Sequence, residues 1–157
     1  MAWSTRRAGQ VLNAGQILMI VVDTNVLSAT MRVAVEPAVE RWLDAQPPEA
    51  IWTTTITIFE IRFGLALLAP GRRRDRLFAA FDRAIDEILD GRVLPFDRTA
   101  AETVAAIAAG QRQIGRSVEI RDVQIAGIAA ARKATLATRN TRHFADLGIT
   151  LVDPWQA

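Results

Sequence analysis

Ile20-Val21-Val22-Asp23-Thr24-Asn25-Val26 is the stretch that sets the architecture: a short β-branched apolar run, then a carboxylate, then residues suited to a turn into a helix. A run of that kind reads as a buried strand, and the pattern recurs along the chain. Ile51 to Thr54, Val93-Leu94, Thr135 to Thr138 and Ile149 to Val152 are further short strands, with helical segments between them. The expected helices are Glu36 to Gln46, stopped by Pro47-Pro48, then Thr57 to Leu68, Arg72 to Leu89, Arg98 to Ile114, Ile120 to Lys133 and Thr141 to Leu147. Strands alternating with helices imply an α/β fold, a single domain with a mostly parallel central sheet between layers of helices. Thr57 to Leu68 is apolar on nearly all sides, which predicts a helix buried in the middle of the domain.

Composition narrows the function. The chain has 157 residues, half of them apolar, enough for one core. It contains no cysteine, which excludes disulfides and thiolate metal sites and makes the cytoplasm the default compartment. No segment approaches the roughly 18 unbroken apolar residues of a membrane span. Residues 1 to 18 resemble a signal peptide only superficially, because Asn13, Gly15 and Gln16 interrupt the apolar stretch and no small-residue cleavage site follows. They read as a disordered extension, with Met19 an equally natural start and the domain running from 19 to 157. Net charge is +2, and Lys133 is the only lysine among 19 cations. Arginine favours bidentate contact with phosphate and carboxylate, which gives modest support to a nucleic-acid or acidic-protein partner.

Three carboxylates stand where carboxylates are costly: Asp23 after the first strand, Glu60 within Ile56-Thr57-Ile58-Phe59-Glu60-Ile61, and Asp122 before Val123-Gln124-Ile125-Ala126. Each has an ordinary explanation taken alone. Asp23 suits an Asx turn or helix N-cap as well as a site, and Asp122 suits a helix N-terminus, where a negative charge gains roughly 0.3–1 kcal/mol. Glu60 is harder to explain, since only Arg62 is nearby in sequence and points elsewhere on the helix. In an open parallel sheet reactive groups collect beyond the carboxyl ends of the strands, where Asp23 and Thr138-Arg139-Asn140 both fall. Two carboxylates about 4 Å apart repel by roughly 4 kcal/mol at an effective dielectric near 20, so three converging carboxylates call for a cation. With no His or Cys cluster, the chemistry is that of a hard, oxygen-ligated ion such as Mg²⁺.

Four segments, in order and spacing, resemble PIN-domain ribonucleases, and in particular the VapC toxins of type II toxin–antitoxin systems in their FitB-like branch. They are Met19 to Val26, Thr57 to Gly64, Asp122 to Ala126 and Ala137-Thr138-Arg139-Asn140-Thr141; the terminal Val152-Asp153-Pro154-Trp155 extends the likeness. The resemblance implies a Mg²⁺-dependent endoribonuclease, with Mn²⁺ able to substitute, whose catalytic carboxylates correspond to Asp23, Glu60 and Asp122. These three, with Asn140, would form the metal site. Family members often carry Asp at the Asn140 position, so a second metal would bind less well here. Asn25 and Thr138 would orient ligands or water. The resemblance further implies an RNA substrate cut to a 5′-phosphate and a 3′-hydroxyl, a cognate antitoxin that inserts a basic side chain among the carboxylates, a homodimer and a toxin–antitoxin hetero-oligomer. The alternative is a non-catalytic PIN-like scaffold weakened at Asn140. A phosphate-accepting receiver domain is disfavoured because Lys133 precedes Thr135 instead of following the late strands.

Other conspicuous residues have plainer explanations. His143 lies beside Phe144 on the short helix after Asn140 and, with no second His or Cys, reads as a surface or capping residue. Arg72-Arg73-Arg74 with Arg76 reads as a solvated helix face before it reads as an RNA or antitoxin contact. Trp42, Trp52 and Trp155 read as core or interface anchors.

Overall fold

The computed structural model describes residues Leu18–Ala157; the expected disordered extension therefore lies, but for Leu18, outside the described residues. Five strands, β1 (Ile20–Val22), β2 (Ile51–Thr54), β3 (Val93–Leu94), β4 (Thr135–Ala137) and β5 (Thr150–Val152), form one sheet in the order β3-β2-β1-β4-β5. All four pairings are parallel, with Ile20 opposite Ile51 and Thr135, and Leu136 opposite Leu151. The helices are α1 (Thr24–Thr30), α2 (Pro37–Asp44), α3 (Thr55–Ala66), α4 (Arg72–Arg83), α5 (Arg98–Gln113), α6 (Ile120–Ala131) and α7 (Thr141–Phe144). None of them is long and apolar enough to cross a membrane.

Side-chain alternation on β1 divides the core into two. Ile20 and Val22 join one cluster with Val26, Leu27, Phe81 and Leu89, whereas Val21 joins Ile125, Ile128, Leu136 and Phe144 on the opposite face. A central strand covered on both faces must be apolar at every position, which is why β1 shows no polar alternation. The sheet is thus the middle of three layers, as expected.

The strand order makes β1 the point from which the chain winds in both directions, to β2 and β3 on one side and to β4 and β5 on the other. The Asp23 amide donates to the Ala137 carbonyl at 3.1 Å and the Thr138 amide to the Val152 carbonyl at 2.9 Å, so the carboxyl ends of these strands finish at one level. A switch point of this kind leaves a crevice where helices depart in opposite directions.

Several expected boundaries shift by a few residues, with identifiable causes. The Arg72 helix stops being α-helical at Arg83 and widens into one π turn over Ala84–Ile88. The helix expected to reach Lys133 ends at Ala131, and Lys133 turns the chain with φ 52°. The short last helix ends at Phe144 instead of Leu147. A larger difference concerns α3. Its core face is Thr57, Ile61 and Leu65, whereas Phe59, Phe63 and Leu67 are 53%, 50% and 71% exposed, so the helix is not enclosed. Being apolar all round, it offers no amphipathic contrast from which to read which stripe is covered. Phe59 and Phe63 stack on each other with ring centres 5.8 Å apart.

Trp42 is buried in the core, and Trp52 and Trp155 pack against it half-buried; the Trp155 indole N–H donates to Glu36 and Arg139 lies 5.0 Å over its ring. Helices α5 and α6 pack closely at Gly127, where a Cβ would stand 3.1 Å from the Val104 nitrogen and 3.2 Å from its Cα, besides colliding with its side chain. Backbone on the far side cannot step aside as a flexible side chain would. Gly127→Ala is therefore expected to cost about 1–3 kcal/mol by overpacking, read as a fall in melting temperature of roughly 2–10 °C.

Candidate active site

Asp23 follows β1 directly and caps α1, its Oδ1 accepting from the Val26 amide at 3.1 Å. The capping role and a site role are compatible, because Oδ2 is used differently: it accepts from the Thr138 hydroxyl at 2.5 Å, across the switch point. Asp23 is 3% exposed and Thr138 fully buried. Burial is the strongest influence on the Asp23 carboxyl and raises its pKa above the ordinary 3.8; the bonds from Thr138, Val26 and Asn25 oppose this, and the charge of Glu60 adds to it.

Glu60 reaches the same place from α3. Thr54 ends β2 and caps α3 at once, its hydroxyl accepting from the Thr57 amide at 3.0 Å, so no loop intervenes between strand and helix and Glu60 is held close to the sheet. The Thr24 hydroxyl donates to Glu60 Oε2, and Arg121 lies 3.6 Å from Oε1. Asp122 is in the first turn of α6, which Glu119 caps through the Arg121 and Asp122 amides. The expected helix-terminal position of Asp122 holds, and the cap itself is supplied by Glu119.

One cavity of about 180 Å³ is lined by Asp23, Thr24, Asn25, Glu60, Asp122 and Asn140, with Ile125 and Phe144 as its apolar floor. The three carboxylates, drawn from three distant parts of the chain, thus face one space. Asn140 precedes α7 without using its side chain as a cap, and Asn25 borders the cavity. Among the described residues, no three acidic or imidazole side chains stand close enough together to enclose an ion as they are. The cation paired with Glu60 is the guanidinium of Arg121, which is also bonded to Glu119 at 3.1 Å. The donor set is nonetheless all oxygen, carboxylate plus amide, around a largely desolvated Asp23. This is the chemistry a hard divalent ion takes, and the residues fit one.

Three participants were not legible beforehand. Thr24 and Arg121 are sequence neighbours of Asp23 and Asp122, and that adjacency was the available signal. His143 lies on the surface as expected, its side chain 61% exposed, and its Nδ1 stands 3.1 Å from Asp122 Oδ2, a partner the sequence did not announce. Arg62 behaves as expected, pairing with Asp82 at 2.5 Å away from Glu60. A second, more apolar groove of about 390 Å³ adjoins the acidic cavity, sharing Thr24 and Glu60 and lined further by Ser28, Met31, Ile61, Leu65 and Leu77.

Comparison with known proteins agrees with this fold. The PIN domain family matches residues 20–149. The VapC ribonuclease Y4jK of Sinorhizobium fredii is 37% identical over 138 residues, 88% of this chain and 99% of the relative. Toxin FitB of Neisseria gonorrhoeae is 34% identical over 137 residues, 87% of this chain and 99% of the relative. The crystal structure of FitAcB from Neisseria gonorrhoeae aligns with TM-score 0.80 at 33% identity, covering 88% of this chain and all of that one. With its parallel five-stranded sheet and the match over most of its length, the chain belongs to the PIN-domain family.

Proposed function

We propose that this protein is a divalent-metal-dependent endoribonuclease, the toxin of a toxin–antitoxin pair, with Mg²⁺ as its ion and Mn²⁺ as a substitute. The observation that carries the reading is the meeting of Asp23, Glu60 and Asp122 at one cavity beside the switch point. Relatives named a ribonuclease and a toxin support the substrate class and the biological role.

Asp23 and Asp122, with Asn140, would hold the ion, which when bound supplies Lewis acidity toward a phosphate oxygen and makes water easier to deprotonate. Asp23 is fixed by Val26 and Thr138, so its oxygens are pre-oriented. Glu60 accepts the proton of the attacking water as the water oxygen bonds to phosphorus and the P–O3′ bond breaks; the 3′-oxygen leaves and is protonated from solvent. The products are a 5′-phosphate and a 3′-hydroxyl. An antitoxin segment with apolar side chains and one basic residue suits the larger groove, where its cation would meet Glu60.

Asp122→Asn tests the assignment. The half-buried first-turn position tolerates an amide, so the fold is expected to survive, while Mg²⁺-dependent cleavage of RNA falls about a hundredfold for loss of one ligand charge. Unchanged cleavage rejects the assignment. Calorimetry with Mn²⁺ separates enzyme from scaffold: tight antitoxin binding without saturable metal binding would favour the non-catalytic module that Asn140 invites.

A further inference from the structure

The segment from Thr138 to His143 joins two of the carboxylates through consecutive hydrogen bonds. At one end the Thr138 hydroxyl donates to Asp23 Oδ2 at 2.5 Å and accepts from the Asn140 amide at 3.0 Å. The Asn140 carbonyl then accepts from the His143 amide at 2.9 Å, and the His143 ring reaches Asp122 Oδ2 at 3.1 Å. An ionised carboxylate only accepts, so the hydrogen in the last contact belongs to His143 Nδ1. Phe144, the next residue, is 2% exposed in the core and sets the rotation of α7 beneath the ring. Among the described residues, His143, itself 61% exposed, is the only side chain that hydrogen-bonds to the Asp122 carboxylate.

We propose that His143 is a positioning residue for Asp122, and that the Thr138–His143 segment holds Asp23 and Asp122 at a set separation before a cation arrives. The proposal rests on the metal-dependent reading of the cavity. Asp23 is held from two sides by its surroundings, whereas Asp122 projects from a first helical turn and is partly exposed. A free carboxylate there would have to be ordered by the ion itself, which weakens binding. Partners of ligating groups typically alter metal affinity by about 10- to 100-fold when removed. A His whose only role were to cover the surface would leave that affinity untouched.

The test titrates the full chain with Mn²⁺ by calorimetry at neutral pH, comparing the parent with His143→Ala and His143→Asn. The amide nitrogen of Asn stands where Nδ1 does relative to the backbone and can donate the same hydrogen. His143→Ala is expected to weaken Mn²⁺ binding about tenfold. His143→Asn is expected to restore most of that loss, with the melting temperature of each ion-free variant unchanged. Electron paramagnetic resonance of the Mn²⁺-loaded parent should show no nitrogen coupling, since the ring is not a ligand. Parental affinity in His143→Ala, no recovery in His143→Asn, or nitrogen coupling to the metal would each overturn the proposal while leaving the nuclease reading standing. A parent that binds no Mn²⁺ would overturn both.

Discussion

Asp23→Asn is expected to lower RNA cleavage about 10⁴-fold, the equivalent of roughly 5 kcal/mol of lost transition-state stabilisation, yet to leave the ion-free protein at least as stable as its parent at neutral pH. The two effects have opposite signs because the charge that serves the site is a liability to the fold. Burial raises the Asp23 carboxyl above its ordinary 3.8, so the folded chain binds that proton more tightly than the unfolded chain. The stability tied to the protonated group is fully present below about 3.8 and is lost as pH rises through the higher folded value. At neutral pH the ionised group therefore opposes folding, and an amide removes that cost. Asn can still accept from the Val26 amide with its oxygen and donate to the Thr138 oxygen, while the hydrogen of the buried Thr138 hydroxyl loses Asp23 as its acceptor, which offsets part of that gain. Thermal melts of parent and variant across pH check this: the variant's advantage should shrink as pH falls through the raised folded value and be gone below about 3.8. Added Mn²⁺ should raise the melting temperature of the parent only, because binding to the folded state alone stabilises it. A variant that is both active and less stable would contradict the account on both counts.

Glu60→Gln is expected to reduce kcat about 10³-fold, within the range for removal of a general base, while KM for RNA changes little. Gln preserves length and can still accept from Thr24, so α3 should keep its place against the sheet. It cannot take the proton from water. It also releases Arg121 from its 3.6 Å contact, but that guanidinium, 42% exposed, stays bonded to Glu119, so little stability is at stake. Single-turnover cleavage with saturating RNA is the appropriate measurement. A loss confined to KM would place Glu60 in substrate binding and assign the proton transfer elsewhere.

How much of this was readable in one dimension depended on how local the signal is. Val21 and Val22 announce a central strand because burial on both faces leaves no room for polar residues, and β1 is where they lead. The stripe Phe59, Phe63 and Leu67 was misread as buried for the complementary reason: a helix apolar on every side carries no periodic contrast, so only its neighbours determine which third of it is covered. His143 lies on the surface as expected, but its contact with Asp122 was not legible, because a side chain's chemistry does not announce its partner. The contact joins α7 to α6, and Phe144, the next residue, is buried in the same cluster as Ile125 and Ile128 of α6.

By itself the chain's order of residues determined the α/β class, the parallel sheet, and which carboxylates stand beside apolar segments, since periodicity and turn chemistry act within a few residues. Only the tertiary structure decided that Asp23, Glu60 and Asp122 share one cavity, that Arg121 and His143 attend them, and that α3 keeps an uncovered face. Those facts depend on strand order and helix rotation, which are set by the packing of the whole core and have no counterpart in any short stretch of sequence.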